Sequence, residues 1–305
     1  MRTNTMKNQN SLKSERYSNR HTRSFFTMLT NEGQDTTDKF VNQFYTSKNY
    51  QERLEAIKYI ISITGKYSFP ERIIADALQD YCSQVKVYIL KHYDFSETID
   101  PQIKECLTNI AKNDEKLQLR TLAIEILSEL NDPEHYDLFF SSSLLKGSKE
   151  SSAGLIGLFK LDKEKAYQMA KFRANSSSGD LDIAIAEIFQ NRGNIDDLAF
   201  IKQRLKARNK FNKIELIRIY LKFLGRIEID SIIRANILYI SEDILSTSNR
   251  ELIQLLIMEL HLFISNYQEY LDKNKELTKY LNKTIDILLE KNYVTKGQNN
   301  PFGPI

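Results

Sequence analysis

The chain has 305 residues, 41% hydrophobic and 27% charged, with 10 Gly, 5 Pro, 2 Cys and no Trp. So few Gly and Pro cannot supply the turns of a β-sandwich or barrel, which leaves long helices with short connections as the natural reading. The net charge of +3 lies in the first 36 residues, where six cations face three anions; the remainder carries 37 of each sign and lacks the basic excess of a phosphate-neutralising protein.

In chain order, residues 1–36 read as a flexible polar and basic tail. Its run "SFFTMLT", Ser24 to Thr30, is too short and too polar for a signal-peptide core, and no segment is apolar enough to span a bilayer. The chain as given therefore reads as cytoplasmic, although a start upstream of Met1 would reopen that question. A transit peptide is the alternative reading of the acid-poor start.

From residue 37 a phrase returns. "SFPERII", "IDPQIKECL" and "NDPEHYDLF" place Pro70, Pro101 and Pro133 at steps of 31 and 32, and Asp100 and Asp132 stand before the last two as helix N-caps. Asp162 and Asn194 continue the caps at steps of 30 and 32. A second helix follows each start. "QERLEAIKYI", "QVKVYILKHY" and "LQLRTLAIEIL" align Ala56, Ile89 and Ala123, and weaker copies add Gly154, Ile185 and Leu216. In "LQLRTLAIEILSEL" the residues Leu119, Leu122, Ala123, Ile126, Leu127 and Leu130 form one apolar stripe.

Two capped helices every 30 to 34 residues are the signature of helical hairpins that share one stacked core. The fold expected is all-α: a right-handed α-solenoid of irregular HEAT- and armadillo-like hairpins over residues 37–226. The period fades after Arg226. Residues 227–293 are expected to be atypical capping helices, with Leu277, Tyr280, Leu281, Ile285 and Leu288 as a stripe, and 294–305 a loose tail.

Motifs for chemistry are missing. The four histidines, His21, His92, His135 and His261, show no metal-ligand spacing, and His135 reads as a surface or edge residue. There is no glycine-rich phosphate loop and no nucleophile elbow; "SSS" at 141–143 and 176–178 reads as a helix end and a loop. Cys82 and Cys106 read as buried free thiols. No catalytic residue, metal ligand or cofactor site is predicted.

Two sets of cations remain as candidate site residues. Arg53, Lys86 and Arg120 each stand three residues before an aligned second-helix position. They form either a ligand-binding ladder on the inner face or cations that satisfy a neighbouring repeat's Asp or helix-end carbonyls, the commoner role in stacked hairpins. Lys202, Arg204, Lys206, Arg208, Lys210 and Lys213 put six cations into twelve residues without an acid. They suit phosphate contact or, better in a neutral body, a solvated helix end. A HEAT-like DNA glycosylase is disfavoured because that family works with tryptophans.

"DKFVNQFYTSKNYQERLEAIKYI", residues 38–60, resembles the opening of the C-terminal helical domain of Bacteroidetes-type aminopeptidase N-family zinc metallopeptidases. The matching positions are Gln43, Phe44, Asn49, Tyr50, Arg53, Glu55 and Ala56. The likeness extends over the HEAT-like repeats and "IRIYLKFLGR", to about residue 265. It implies a helical domain that walls a cleft, without the His-Glu-x-x-His and Gly-x-Met-Glu-Asn motifs of the catalytic domain, so no catalytic residue carries over. The expected function is a non-catalytic scaffold that binds protein or peptide. The alternatives are a truncated or trans-acting part of a zinc aminopeptidase, with a separate catalytic chain as partner, and, less favoured, nucleic-acid binding through residues 202–213.

Overall fold

The computed structural model describes residues 34–63, 71–96, 100–206 and 210–297. Of the sequence expectations, residues 1–33 of the tail, Pro70, Arg208 and residues 298–305 lie outside these, and for Lys210 only the backbone is described. The described residues contain helices and no strand.

Among the described residues sixteen α-helices run α1 Gln34–Thr46, α2 Tyr50–Ile63, α3 Glu71–Leu78, α4 Ser83–His92, α5 Pro101–Asn113, α6 Leu117–Glu129, α7 Tyr136–Ser143, α8 Ser148–Leu161, α9 Lys163–Arg173, α10 Asp180–Arg192, α11 Leu198–Arg204, α12 Lys210–Ile227, α13 Asp230–Ser246, α14 Arg250–Asn266, α15 Gln268–Lys273 and α16 Lys275–Gly297. They alternate as first and second helices of hairpins. The caps explain where the first helices begin. Asp100 accepts the Gln102 amide with Pro101 at the first helical position, and Asp162 accepts the Lys165 amide. Asn194 closes a reciprocal capping box with Asp197. Each cap satisfies an amide that the helix start leaves without a partner.

The stop after α6 has its own cause. Asn131 takes a left-handed φ of 51°, a conformation that asparagine tolerates, and so ends the helix before Asp132. The next start differs from a plain proline-led α-helix: Pro133–His135 winds as a 3-10 turn before α7. That tighter turn brings His135 inward near Lys104 and Lys112 of α5, and the residue is 4% exposed. His135 is therefore a buried residue, and the expectation of a surface position is corrected.

The chain divides into two compact units, one ending at His135 and one beginning at Tyr136. In the first, α2, α4 and α6 pack in succession as one layer, while α3 packs on α5. In the second, α8, α10, α12, α14 and α16 follow the same succession. Next-but-one packing of this kind defines a helical-repeat fold, because each hairpin completes its core with its neighbours.

The aligned second-helix positions mark that core. Ala56, Ile89, Ala123, Gly154, Ile185 and Leu216 are all buried. Gly154 and Gly157 show why α8 departs from the others. A methyl group on Gly154 would lie 2.6 Å from Ser142 Cβ, and one on Gly157 would lie 2.7 Å from the Phe139 ring, so α7 approaches α8 too closely for larger residues. From α12 on the helices are longer, at 18 residues in α12, 17 in α13 and α14 and 23 in α16, apart from the 6-residue α15. Leu277, Leu281, Ile285 and Leu288 of α16 are buried, while Glu276, Lys279, Lys283 and Asp286 face water.

Candidate functional site

The cations predicted at the second-helix positions divide into distinct contacts. Arg53 of α2 holds Asp80 through Nε to Oδ2 at 2.7 Å and Nη2 to Oδ1 at 3.0 Å, and both side chains are almost fully buried. Lys86 of α4 donates to Oδ2 of Asp114 at 2.5 Å. Arg120 of α6 donates back to the carbonyls of Asp114 at 2.8 Å and Glu115 at 3.3 Å. Arg53 makes the equivalent backward bond to Ser47 O, six residues earlier.

Each carboxylate in this series serves two repeats. Asp80, Asp114 and Asp132 accept the amides of Cys82, Lys116 and Glu134 in local turns, and they also accept Arg53, Lys86 and Lys104 from the hairpin before. Lys104, on a first helix, was not singled out in the sequence because it stands outside the second-helix register. Its two acids leave a readable signal: Asp132 lies 28 residues on, the same step as Lys86 to Asp114. The Lys104 ammonium and the Glu134 amide hold the Asp132 carboxyl below the ordinary carboxylate range. For Asp114, burial works against ionisation, yet Lys86 and the Lys116 amide leave it lowered as well.

A second series clamps helix ends, and of its members only Arg204 was among the cations singled out in the sequence. Arg173 donates to the carbonyls of Ser143 and Leu145, Arg204 to those of Ala174 and Ser177, and Arg226 to those of Gln190, Phe189 and Gly193. Guanidinium suits this task because its several donors lie in one plane and meet the carbonyls left open at a helix C-terminus.

The basic run at 202–213 is dispersed by such contacts. Lys202 Nζ lies 4.1 Å from the centroid of the Tyr239 ring. Arg204 adds an ion pair with Asp182 to its carbonyls, and Lys213 is buried against Asp243 at 2.6 Å. Lys206 is exposed.

An open groove of about 750 Å³ in the first unit brings together groups that the sequence did not associate. The end of α3, the start of α4, the length of α5 and the turn between α5 and α6 form its walls. α5 buries Ile103, Leu107, Ile110 and Ala111 on one side and turns Gln102, Glu105, Cys106, Asn109 and Asn113 to the groove. At one wall Tyr81 is 79% exposed, yet its position is fixed: its ring covers the Arg53 guanidinium at 4.2 Å and its hydroxyl donates to Lys48 O at 3.0 Å.

The cysteines are half-buried, which corrects the expectation of core thiols. Cys82 stands at the N-cap of α4, and Cys106 lies on the groove side of α5, donating to Ala75 O at 3.6 Å. Burial raises the Cys106 thiol pKa, and the nearby Glu105, Asp76 and Asp100 act in the same direction. Among the described residues no group of three or more His, Cys, Asp or Glu side chains is placed to hold a metal ion. No helix among them is long and apolar enough to cross a membrane.

The residues that carry the aminopeptidase-like phrase are engaged in packing. Gln43 Nε2 donates to Glu52 O at 2.7 Å, Asn49 Oδ1 accepts the Gln51 amide, and Phe44 and Ala56 are buried.

No protein-family model matches the chain, and no curated protein matches it. Solved structures do. The X-ray structure of YibA of Escherichia coli is 14% identical, with a TM-score of 0.48, 85% of this chain and 98% of that one being covered. Human deoxyhypusine hydroxylase, solved in complex with glycerol, is 12% identical, with a TM-score of 0.36 and coverage of 85% and 96%. At such identity neither lends an activity to this chain.

Proposed function

We propose that this chain is a helical-repeat scaffold, without catalysis of its own, that binds protein or peptide in the groove along α5. The observation that supports it is the contrast between the groove and the ladders. Arg53, Lys86 and the clamp arginines spend their hydrogen bonds on neighbouring repeats, whereas the groove face of α5 keeps polar groups turned outward beside a fixed, exposed aromatic ring. Polar side chains converging beside an aromatic anchor are the usual makings of a peptide-recognition surface.

Site-specific photocrosslinking tests it. A benzophenone side chain at position 109 is expected to give a discrete adduct with a partner from source-cell extract, and one at position 279, on the polar outer side of α16, is expected to give none. Equal capture at both positions, or none at 109, overturns the reading. The likeness of residues 38–265 to an aminopeptidase helical domain makes a zinc aminopeptidase catalytic chain the first defined partner to mix with it. Zinc-dependent peptidase activity appearing only in the mixture would make this chain the missing half of that enzyme.

A further inference from the structure

Three successive loops within hairpins of the second unit lie side by side. Arg173, at the end of α9, donates to the carbonyls of Ser143 and Leu145 at the α7–α8 loop. Ser148, at the start of α8, donates to Ser178 O of the α9–α10 loop at 2.5 Å and accepts the Leu181 amide at 3.1 Å. Arg204, at the end of α11, donates to Ala174 O at 2.9 Å. These bonds join the helix ends from α7 to α12 into one edge, about 20 Å long at the usual helix spacing.

That edge exposes large apolar side chains. Leu144 and Leu145 in the first loop are 46% and 41% exposed, Phe172 in the last turn of α9 is 72% exposed, and Phe211 at the second position of α12 is 81% exposed. Phe172 lies off the buried stripe of Ala166, Met169 and Ala170, so the core does not account for it. Single exposed apolar residues are ordinary, but four on three mutually bonded loops make a patch. With most of their surface in water, the two phenylalanines project from the edge and do not line a pocket.

The charges around them are mostly of one sign. Lys146, Lys149 and Lys206 are exposed and form no ion pair among the described residues. Of the acids on the same loops and adjoining turns, Glu150 is buried and Asp182 is paired with Arg204, which leaves Asp180. Lys149 stands in the first turn of α8, where a cation opposes the helix dipole, so helix stability does not account for it. Past α12 the sign changes, with Glu242 and Glu251 exposed.

We infer that this edge rests on an anionic lipid surface, Leu144, Leu145, Phe172 and Phe211 entering the interface while Lys146, Lys149 and Lys206 meet the headgroup phosphates. Projecting apolar side chains beside lysines suit lipid, because the acyl boundary takes them without a fitted pocket and the surface potential attracts the cations above it. A nucleic acid would use the cations but offers no apolar phase to Leu144 and Leu145. The inference concerns the second unit and does not depend on the reading of the α5 groove.

The chain has no Trp, so Phe172→Trp supplies a single reporter in an otherwise native protein. The full-length variant is mixed with vesicles of phosphatidylcholine alone, or of phosphatidylcholine with about one third phosphatidylserine. The anionic vesicles are expected to shift its emission to the blue and, when their acyl chains are brominated, to quench it. Neutral vesicles are expected to do neither, and Lys279→Trp, on the outer side of α16, is expected to respond to neither composition. In co-sedimentation with the anionic vesicles, Lys146→Gln/Lys149→Gln is expected to weaken binding about 25-fold, at about fivefold for each lysine near the surface. Leu145→Ser/Phe172→Ser is expected to weaken it about tenfold or more. Melting curves are expected to stay unchanged, since all four positions are exposed; if a double variant melts early, quenching of Phe172→Trp decides alone. Absence of binding to both compositions, equal binding to neutral vesicles, or binding that survives Leu145→Ser/Phe172→Ser overturns the proposal. An equal blue shift with single-stranded RNA also overturns it and makes the edge a nucleic-acid surface.

Discussion

Arg53 and Asp80 meet across a hairpin boundary, two-pronged and nearly sealed from water, with each side chain about 5% exposed. Separating such a pair leaves one charge buried and unanswered, which costs about 3–5 kcal/mol. Asp80→Asn keeps the local acceptor for the Cys82 amide and removes only the charge. It is expected to destabilise the first unit by that order in urea unfolding, and Arg53→Lys by less, because one ammonium cannot span both oxygens. A loss below about 0.5 kcal/mol for Asp80→Asn would remove the pair from the forces that hold the repeats together.

The pH dependence of stability should carry the mark of His135. Burial, with Lys104 beside it, holds this imidazole below its ordinary value of 6.5. The unfolded ring takes up a proton as pH falls through 6.5, and the folded ring resists until lower pH. Stability is therefore complete above 6.5 and is lost as pH falls from there toward the folded value. His135→Gln is expected to flatten the decline in melting temperature between about pH 7 and pH 5. An unchanged slope would show that other groups set it.

Gly225 lies under the Tyr267 ring. An added Cβ would stand 2.1 Å from Tyr267 Cζ, and the tyrosine is further tied by its hydroxyl to Lys222 O at 3.2 Å. Gly225→Ala is expected to cost about 1–3 kcal/mol as overpacking, despite alanine's better helix propensity. In a Tyr267→Ala background the same change should become neutral or stabilising, and the double-mutant cycle measures that coupling.

Glu228 occupies a left-handed φ of 53° between α12 and α13, where a residue with a Cβ is strained. Glu228→Gly relieves the strain but frees the unfolded chain, so a gain of about 0.5–1 kcal/mol is expected. A loss would mean that the Glu228 side chain contributes more than its backbone costs.

The repeat was legible because it is a local property. The cap at Asp100 and the proline after it fix where α5 begins whatever surrounds them, and the aligned positions from Ala56 to Leu216 announce a shared core through period alone. Departures from the pattern came from neighbours. Gly154 occupies the Ala56 position because α7 crosses α8 so closely, and His135 turned inward because its helix starts with a 3-10 turn. Neither cause is written within one helical period.

The groove was not legible, and the reason is geometric. The amides and acids of "PQIKECLTNIAKN" read as an ordinary solvated face, and nothing local distinguishes a polar side that meets bulk water from one that lines a trough. Likewise the sequence placed Arg53, Lys86 and Arg120 in one register but could not say that Arg53 and Lys86 reach forward to an aspartate of the next hairpin, or that Arg53 and Arg120 bond back to the loop before their own helix. Sequence alone determined the helices, their caps, their period and the absence of familiar catalytic motifs, since these depend on neighbours a few residues apart. Only the tertiary structure decided which cations are consumed between repeats and which polar groups remain turned outward, because that depends on side chains brought together from hairpins about thirty residues apart.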